Sequence, residues 1–375
     1  MKLQRRNSLI TIAAVLAFIG SAAFWSCDNT FHVFDDIQTE VKQVGTDIFK
    51  NATVKALGDD GTNYYAAMAK IWYRPITGSE WKVLPIGAGS GTTDYYAYSL
   101  VSGGAGAIYV AAEESGEIKV YKGTAAGTTW TVISLGSLDG LNLDELYFAN
   151  GNLFALAHNG TGSSIKYSLH YSNGTVAFAT TTLTNLSAPL LGISYDGALT
   201  DNYFAPSSTK VYKFTGVTGA WTDATPGSSK SFGGIAADNA NKIHLSTQDG
   251  YLYTWDGSAW SLAKTIKDKQ TLGMIAEVKT TPSPAVYRLL IAHGNIGYYE
   301  FDGTTAIEGS DSGTAFGTPA SAYTTTVYGK TVLAVHSAST GNEILIGLAS
   351  QGSSTGYALY SNKYASGAWS GWSAE

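Results

Sequence analysis

From about residue 52 onward, the chain alternates between short apolar runs and polar, Gly-containing turns. The runs AIYVAAE (107–113), NLFALAH (152–158), KIHLST (242–247), RLLIAH (288–293) and EILIGLAS (343–350) are rich in Ile, Val, Leu and Ala. Each is too short for a stable helix and is bounded by turn residues, so each predicts a buried β-strand. Downstream of these runs a second pattern recurs: an apolar-Tyr pair, a polar turn with Gly, then Trp. It ends at Trp81 in IWYRPITGSEW, Trp130 in VYKGTAAGTTW, Trp221 in VYKFTGVTGAW, Trp260 in LYTWDGSAW and Trp369 in ALYSNKYASGAW. Two weaker copies, LHYSNGTVAF and YYEFDGTTAI, end at Phe178 and Ile307. Gly supplies the positive φ of a tight turn and flanking aromatics favour strands, so each copy predicts a hairpin. Asn173-Gly174, Asp256-Gly257 and Asp302-Gly303 are the strongest of these turn signals.

The seven copies recur about every 48 residues, within the roughly 40–50 that a four-stranded antiparallel blade occupies. One copy shows the whole unit: GGIAAD (233–238) as inner strand, KIHLST (242–247) as second, YLYTW (251–255) as third and AWSLAKT (259–265) as outer strand. A single sheet of this size cannot bury both faces. Stacking sheets around a circle does, and leaves only short edges exposed. The expected fold is therefore all-β: a seven-bladed β-propeller of four-stranded antiparallel blades over residues 52–375. Gly233, Gly234, Ala236 and Ala237 would let inner strands crowd at the axis, and Trp and Tyr would fill the wider periphery as packing residues.

The outer hairpin resembles the Kelch repeat of β-propellers, in which Tyr and Trp occupy the two outer strands. Kelch blades also carry a Gly-Gly pair after the second strand, whereas Gly103-Gly104 and Gly233-Gly234 lie elsewhere. The resemblance thus rests on the hairpin. TWDGSAW (254–260) also resembles the Asp-box turn of sialidases and related propellers, with Gly directly after Asp256. Such boxes are structural turns.

The first 51 residues follow a different pattern. Lys2, Arg5 and Arg6 precede an apolar stretch from Leu9 to Trp25, and Cys27 follows. Basic start, apolar stretch and small residues predict an export signal. A cysteine in this place resembles the lipid-modified cysteine of bacterial lipoproteins. Phe24-Trp25-Ser26 fits the looser lipobox of spirochaete and Bacteroidetes members. The expected organisation is a lipoprotein signal peptide over 1–26, lipid attachment at Cys27 and a tether over 27–51, with a short helix over Asp36–Gln43. Cleavage after Ser21-Ala22-Ala23 and a retained membrane anchor are the alternatives. Loss of residues 1–26 removes three bases and no acid, so the body becomes more acidic than the formal −6 of the chain. An acidic body is repelled by anionic headgroups, so lipid rather than charge would hold it at a membrane.

Composition removes several functions. Charged residues make up 14% of the chain, against roughly 25% in an average soluble domain, as expected where most positions lie between blades. An acidic chain lacks the basic face that nucleic acid requires. A single cysteine excludes a disulfide scaffold or a Cys-rich zinc module. A sialidase needs an Arg triad for the substrate carboxylate, and the only arginines are Arg5, Arg6, Arg74 and Arg288. No HxxxH or HExxH spacing, Walker loop or EF-hand loop is present, and no Gly-x-Ser-x-Gly elbow stands after a strand with a partner His in order. No cofactor or metal is expected.

The remaining candidates cluster at the ends of second strands. Glu113 and Glu114, His158 and Asn159, Gln248 and Asp249, His293, and Gln351 occupy equivalent turns. In a propeller those turns share a side with the connections between blades, a side that often binds ligands, and together they would form a polar, acidic rim. The first functional reading is a monomeric, lipid-anchored protein of the bacterial cell envelope, periplasmic or surface-exposed. It would act as a non-enzymatic binding or scaffold propeller for a protein or glycan. The alternative is a secreted carbohydrate-active or other hydrolytic propeller using a carboxylate pair such as Glu113 and Asp249, which a glycosidase would hold about 5–9.5 Å apart.

Overall fold

The structure is a computed structural model that describes residues 48–375, apart from 88–90, 125–128, 198–200, 228–229, 267–271, 281–285, 294–296, 304–305, 309–330, 339–341, 351–355 and 366–367. The expected signal peptide, Cys27, most of the tether with its helix, and Gln351 lie outside the described residues. Seven four-stranded antiparallel sheets follow one another along the chain, as the repeat predicts. Blade 1 contains β1 (Ala56–Asp59), β2 (Asn63–Ala67), β3 (Ile71–Pro75) and β4 (Lys82–Val83). Blade 2 contains β5 (Tyr96–Ser102), β6 (Ile108–Glu114), β7 (Glu117–Thr124) and β8 (Thr129–Ile133). Blade 3 contains β9 (Asn142–Ala149), β10 (Asn152–Asn159), β11 (Lys166–Ser172) and β12 (Ala179–Thr180). Blade 4 contains β13 (Ser194–Tyr195), β14 (Asn202–Pro206), β15 (Val211–Thr215) and β16 (Thr222–Asp223). Blade 5 contains β17 (Phe232–Ala237), β18 (Ile243–Thr247), β19 (Tyr251–Trp255) and β20 (Trp260–Thr265). Blade 6 contains β21 (Leu272–Thr280), β22 (Val286–His293), β23 (Gly297–Phe301) and β24 (Ala306–Glu308). Blade 7 contains β25 (Val332–Ser337), β26 (Glu343–Leu348), β27 (Leu359–Ala365) and β28 (Ala368–Ala374). The described helices are single 3₁₀ turns, such as Gly136–Leu138.

In every blade the first strand is innermost. β1 touches β5 and β25, β5 touches β9, and β17 touches β21. The core is accordingly divided into layers between blades. Tyr65, Ile71, Leu100 and Val110 join blades 1 and 2. Tyr109, Ala111, Leu146 and Leu153 join blades 2 and 3. Phe204, Phe232, Leu245 and Trp255 join blades 4 and 5. The second strands are buried on both faces, which is why they read as continuous apolar runs. In β26, all of Glu343–Leu348 is buried.

Crowding at the axis is as tight as the small residues imply. A Cβ on Gly233 would lie 1.9 Å from the Leu272 carbonyl oxygen of the next inner strand. The hairpin glycine Gly257 has φ +102°, as its turn requires, and Asp256 Oδ1 accepts hydrogen bonds from the Ser258 and Ala259 backbone N–H groups. The tryptophans do pack, with Trp81, Trp255, Trp369 and Trp372 buried. Trp260 is only half-buried; its indole N–H donates to the Ala224 carbonyl at 2.6 Å.

The ring closes between blades 7 and 1. The segment before β1 runs along blade 7: Asn51 N–H donates to Gly356 O, Val54 N–H to Leu348 O, and Ala358 N–H to Phe49 O. Arg74, fully buried, lies 2.7 Å from Glu343 and 3.1 Å from the Glu375 carboxylate. Its guanidinium sits over Tyr64 and Trp81, and the Trp81 indole N–H donates to Glu375. His336 of blade 7 bonds Asp59 of blade 1.

Candidate functional site at the turn side of blades 2 and 3

Because the blades share one strand order, every turn from second to third strand falls on the side that carries the connections between blades. Glu113 and Glu114 end β6, His158 and Asn159 end β10, Gln248 and Asp249 form the turn after β18, and His293 ends β22. The His293 side chain lies outside the described residues. Apart from Asn159, each of the others is engaged within its own blade. Glu113 accepts a 2.6 Å bond from the Tyr98 hydroxyl. Glu114 accepts from Lys119 and Tyr121, and these two bonds hold its carboxyl below the usual range. Burial works to raise the Asp249 carboxyl, but bonds from Lys230 and Thr247 prevail and keep it low. The Gln248 amide reaches the Phe232 carbonyl at 3.5 Å, and Asn159 is exposed. Glu113 belongs to blade 2 and Asp249 to blade 5, and each is bound to its own partner.

Among the described residues, a polar cluster on this side lies where blades 2 and 3 meet. Its position follows from a β-bulge near the start of each inner strand. In β5, Ala97 pairs with Ala112 and Ser99 with Ala111, so Tyr98 is extra. In β9, Leu143 pairs with Ala157 and Glu145 with Leu156, so Asp144 is extra. A bulge re-aims the side chains around it and is favoured beside functional sites. Here it lets Asp144 reach across to His158, whose Nδ1 lies 2.8 Å from Asp144 Oδ2. The next residue, Glu145, takes a hydrogen bond from the hydroxyl of buried Ser99 on blade 2. That same hydroxyl accepts from Leu146 N–H at 3.0 Å.

Electrostatically this corner is under-compensated. Burial raises the Asp144 carboxyl, and the His158 contact offsets only part of the rise. Burial also raises Glu145, against bonds from Ser99 and the Leu146 backbone. Tyr98 is pushed up to about 12 by burial and by Glu113. Adjacent carboxyls beside an imidazole offer several acceptor oxygens and a ring nitrogen, a combination that suits hydroxyl or amide groups of a ligand. Sequence reasoning missed Tyr98, Ser99, Asp144 and Glu145. The usable signal was two consecutive acids inside the otherwise apolar strand NLDELYFA (142–149).

No protein-family model matches the chain, and no curated protein sequence matches it. Solved structures do. YCF48 bound to D1 peptide aligns with a TM-score of 0.55 at 12% identity, over 81% of this chain and 90% of that one. The extracellular domain of BT4673 from B. thetaiotaomicron aligns at 0.52 and 12% identity, over 82% of this chain and 38% of that one. Virginiamycin B lyase from Staphylococcus aureus aligns at 0.51 and 11% identity, over 80% and 93%. The chain is a seven-bladed β-propeller. At these identities the likeness extends to the fold alone.

Proposed function

We propose that this propeller is a monomeric binding or scaffold protein, held in a bacterial cell envelope by lipid on Cys27, that engages a peptide, protein or glycan partner through its turn side. Three things support the lipid anchor: the basic start, the apolar stretch from Leu9 to Trp25, and the cysteine that follows. The observation that carries the binding reading is the state of the turn-side carboxylates. Glu114 and Asp249 are each neutralised by a lysine of their own blade, and Glu113 is held by Tyr98. A hydrolase of the carboxylate-pair type needs two such groups facing one substrate bond. The polar groups at the meeting of blades 2 and 3 are instead arranged to exchange hydrogen bonds with a docked surface. The YCF48 structure has a peptide bound, and the BT4673 neighbour is an extracellular domain. The first accords with a peptide partner, and the second with a partner met outside the cytoplasm. The Tyr-turn-Trp hairpin keeps the Kelch-like reading of the repeat.

Three measurements test the proposal. Cells expressing Cys27→Ala should lose incorporation of labelled fatty acid and release the protein; unchanged membrane retention would overturn the anchor. The full chain, solubilised in detergent, should capture a partner from envelope or host-surface fractions, and Asn159→Lys with Gln248→Lys should abolish that capture. Undiminished capture by the double variant would place the partner elsewhere. Turnover of a chromogenic glycoside panel by the wild type, lost in Glu113→Gln, would favour the hydrolytic alternative.

A further inference from the structure

A second binding site lies on the periphery of the ring, between the outermost strand of blade 4 and the outer hairpin of blade 5, and uses none of the turn-side residues. There Lys213, Asp223, Thr225, Trp255, Ser258 and Trp260 line a groove of about 400 Å³. That falls within the roughly 300–1,000 Å³ typical of small-molecule sites. We infer that this groove is a carbohydrate subsite, selective for a neutral pyranose.

One wall of the groove is aromatic. Trp260 is fixed by its bond to the Ala224 carbonyl and by edge contacts with Trp255 and Phe204, at centroid distances of 5.4 and 5.7 Å. It is half-buried, so part of a rigid indole remains open. Such a surface suits the C–H face of a sugar ring, which is apolar while its rim is not.

The charged groups select the ligand further. Lys213 Nζ rests over the Trp255 ring at 5.1 Å and has no carboxylate partner among the described residues. Asp223 Oδ1 accepts from Thr225 N–H at 2.9 Å, and its contact with Lys210 is a loose 3.9 Å between exposed groups. One ammonium and one carboxylate therefore share the groove. A phosphate or sialic acid would meet Asp223 as a like charge, whereas an apolar ligand would strip water from both ions without replacing it. Vicinal hydroxyls satisfy both: they donate to Asp223 and accept from Lys213. The neighbouring edge strand β16 is only Thr222–Asp223, too short to template an added peptide strand.

The test is a glycan array probed with the full chain in detergent, followed by tryptophan-fluorescence titration with methyl glycosides of glucose, galactose and mannose. We expect saturable binding of at least one neutral hexopyranoside, weakened tenfold or more by Asp223→Asn and by Trp260→Ala. Asp223 is exposed, so Asp223→Asn should keep the wild-type melting temperature and report binding alone if Trp260→Ala disturbs the blade. Asn159→Lys with Gln248→Lys should leave sugar binding intact, which separates this site from the turn side. Absence of saturable binding to every neutral sugar overturns the inference. So does a preference for sialylated or sulfated glycans, undiminished binding by Asp223→Asn, or binding only of proline-rich peptides.

Discussion

The blade 7–1 and blade 2–3 seams of the ring each set charged groups between blades, and they treat them in opposite ways. Between blades 7 and 1, Arg74 meets Glu343 and Glu375, two aromatic faces and the Gly78 carbonyl. Lys363 adds a weaker contact 3.5 Å from Glu343. Each carboxylate there has a fixed cation beside it. Between blades 2 and 3, Asp144 and Glu145 lie side by side on a bulge, with His158 against the first, while a serine hydroxyl, a backbone N–H and the charge of Lys55 act on the second without offsetting its burial. The first arrangement locks a ring shut. The second leaves both carboxyls above their ordinary values, because burial outweighs the groups that would lower them. A full complement of counter-charge marks the structural seam, and its shortage marks the functional candidate.

The largest expected effect tests the structural half of this contrast. Arg74→Ala leaves Glu343 and Glu375 buried without their cation, and should lower unfolding free energy by about 3–5 kcal/mol in a denaturant titration. Arg74→Met combined with Glu343→Leu and Glu375→Gln removes both signs of charge and should recover much of that loss. A single variant as stable as wild type would show that the N-terminal segment along blade 7 closes the ring unaided.

A smaller effect concerns the outer part of the blade 2–3 seam. His170 is buried, with its ring nitrogens against the Ser137 and Ser168 hydroxyls at 2.7 and 2.8 Å. Burial lowers its pKa from 6.5 to about 4. The folded state then binds fewer protons than the unfolded chain between those values. The stability linked to neutral His170 is complete above about pH 6.5 and is lost as pH falls toward 4, by about 3 kcal/mol in all. His170→Gln should abolish that acid-side loss in thermal unfolding measured across pH. A retained loss would place the acid sensitivity in another group.

These contrasts were unevenly legible in the sequence. The second strands and the outer hairpins were readable because burial on both faces writes a continuous apolar run, and a tight turn demands Asn-Gly or Asp-Gly. Gly233 and Gly234 announced the crowded axis, where no Cβ fits against Leu272 and Ile275. Arg74 was read only as a missing member of an Arg triad, since its partners lie 269 and 301 positions away. Glu113, His158 and Asp249 stand out in the sequence because their turn positions repeat. Asp144 and Glu145 were not, because a bulge is a pairing between strands and leaves only a faint local mark. Trp260 read as packing, yet its half-exposure depends on how blade 5 meets blade 4.

The last expected effect is a change of slope, and it bears directly on the functional half of the contrast. Burial holds the Glu145 carboxyl above its ordinary value, more than the Ser99 and Leu146 bonds pull it down. Between an unfolded value of about 4.3 and that raised value, the folded state binds more protons than the unfolded one. Stability contributed by this group therefore falls as pH rises through the window, opposite in sign to the His170 contribution. Glu145→Gln cannot ionise but can still accept from Ser99. Its unfolding free energy should climb relative to wild type as pH rises from about 4 and then level off, while the Arg74 seam is untouched. If the two profiles run parallel, Glu145 ionises at its usual value and the blade 2–3 seam is as fully compensated as the blade 7–1 seam. The shortage of counter-charge would then no longer distinguish a site from a joint.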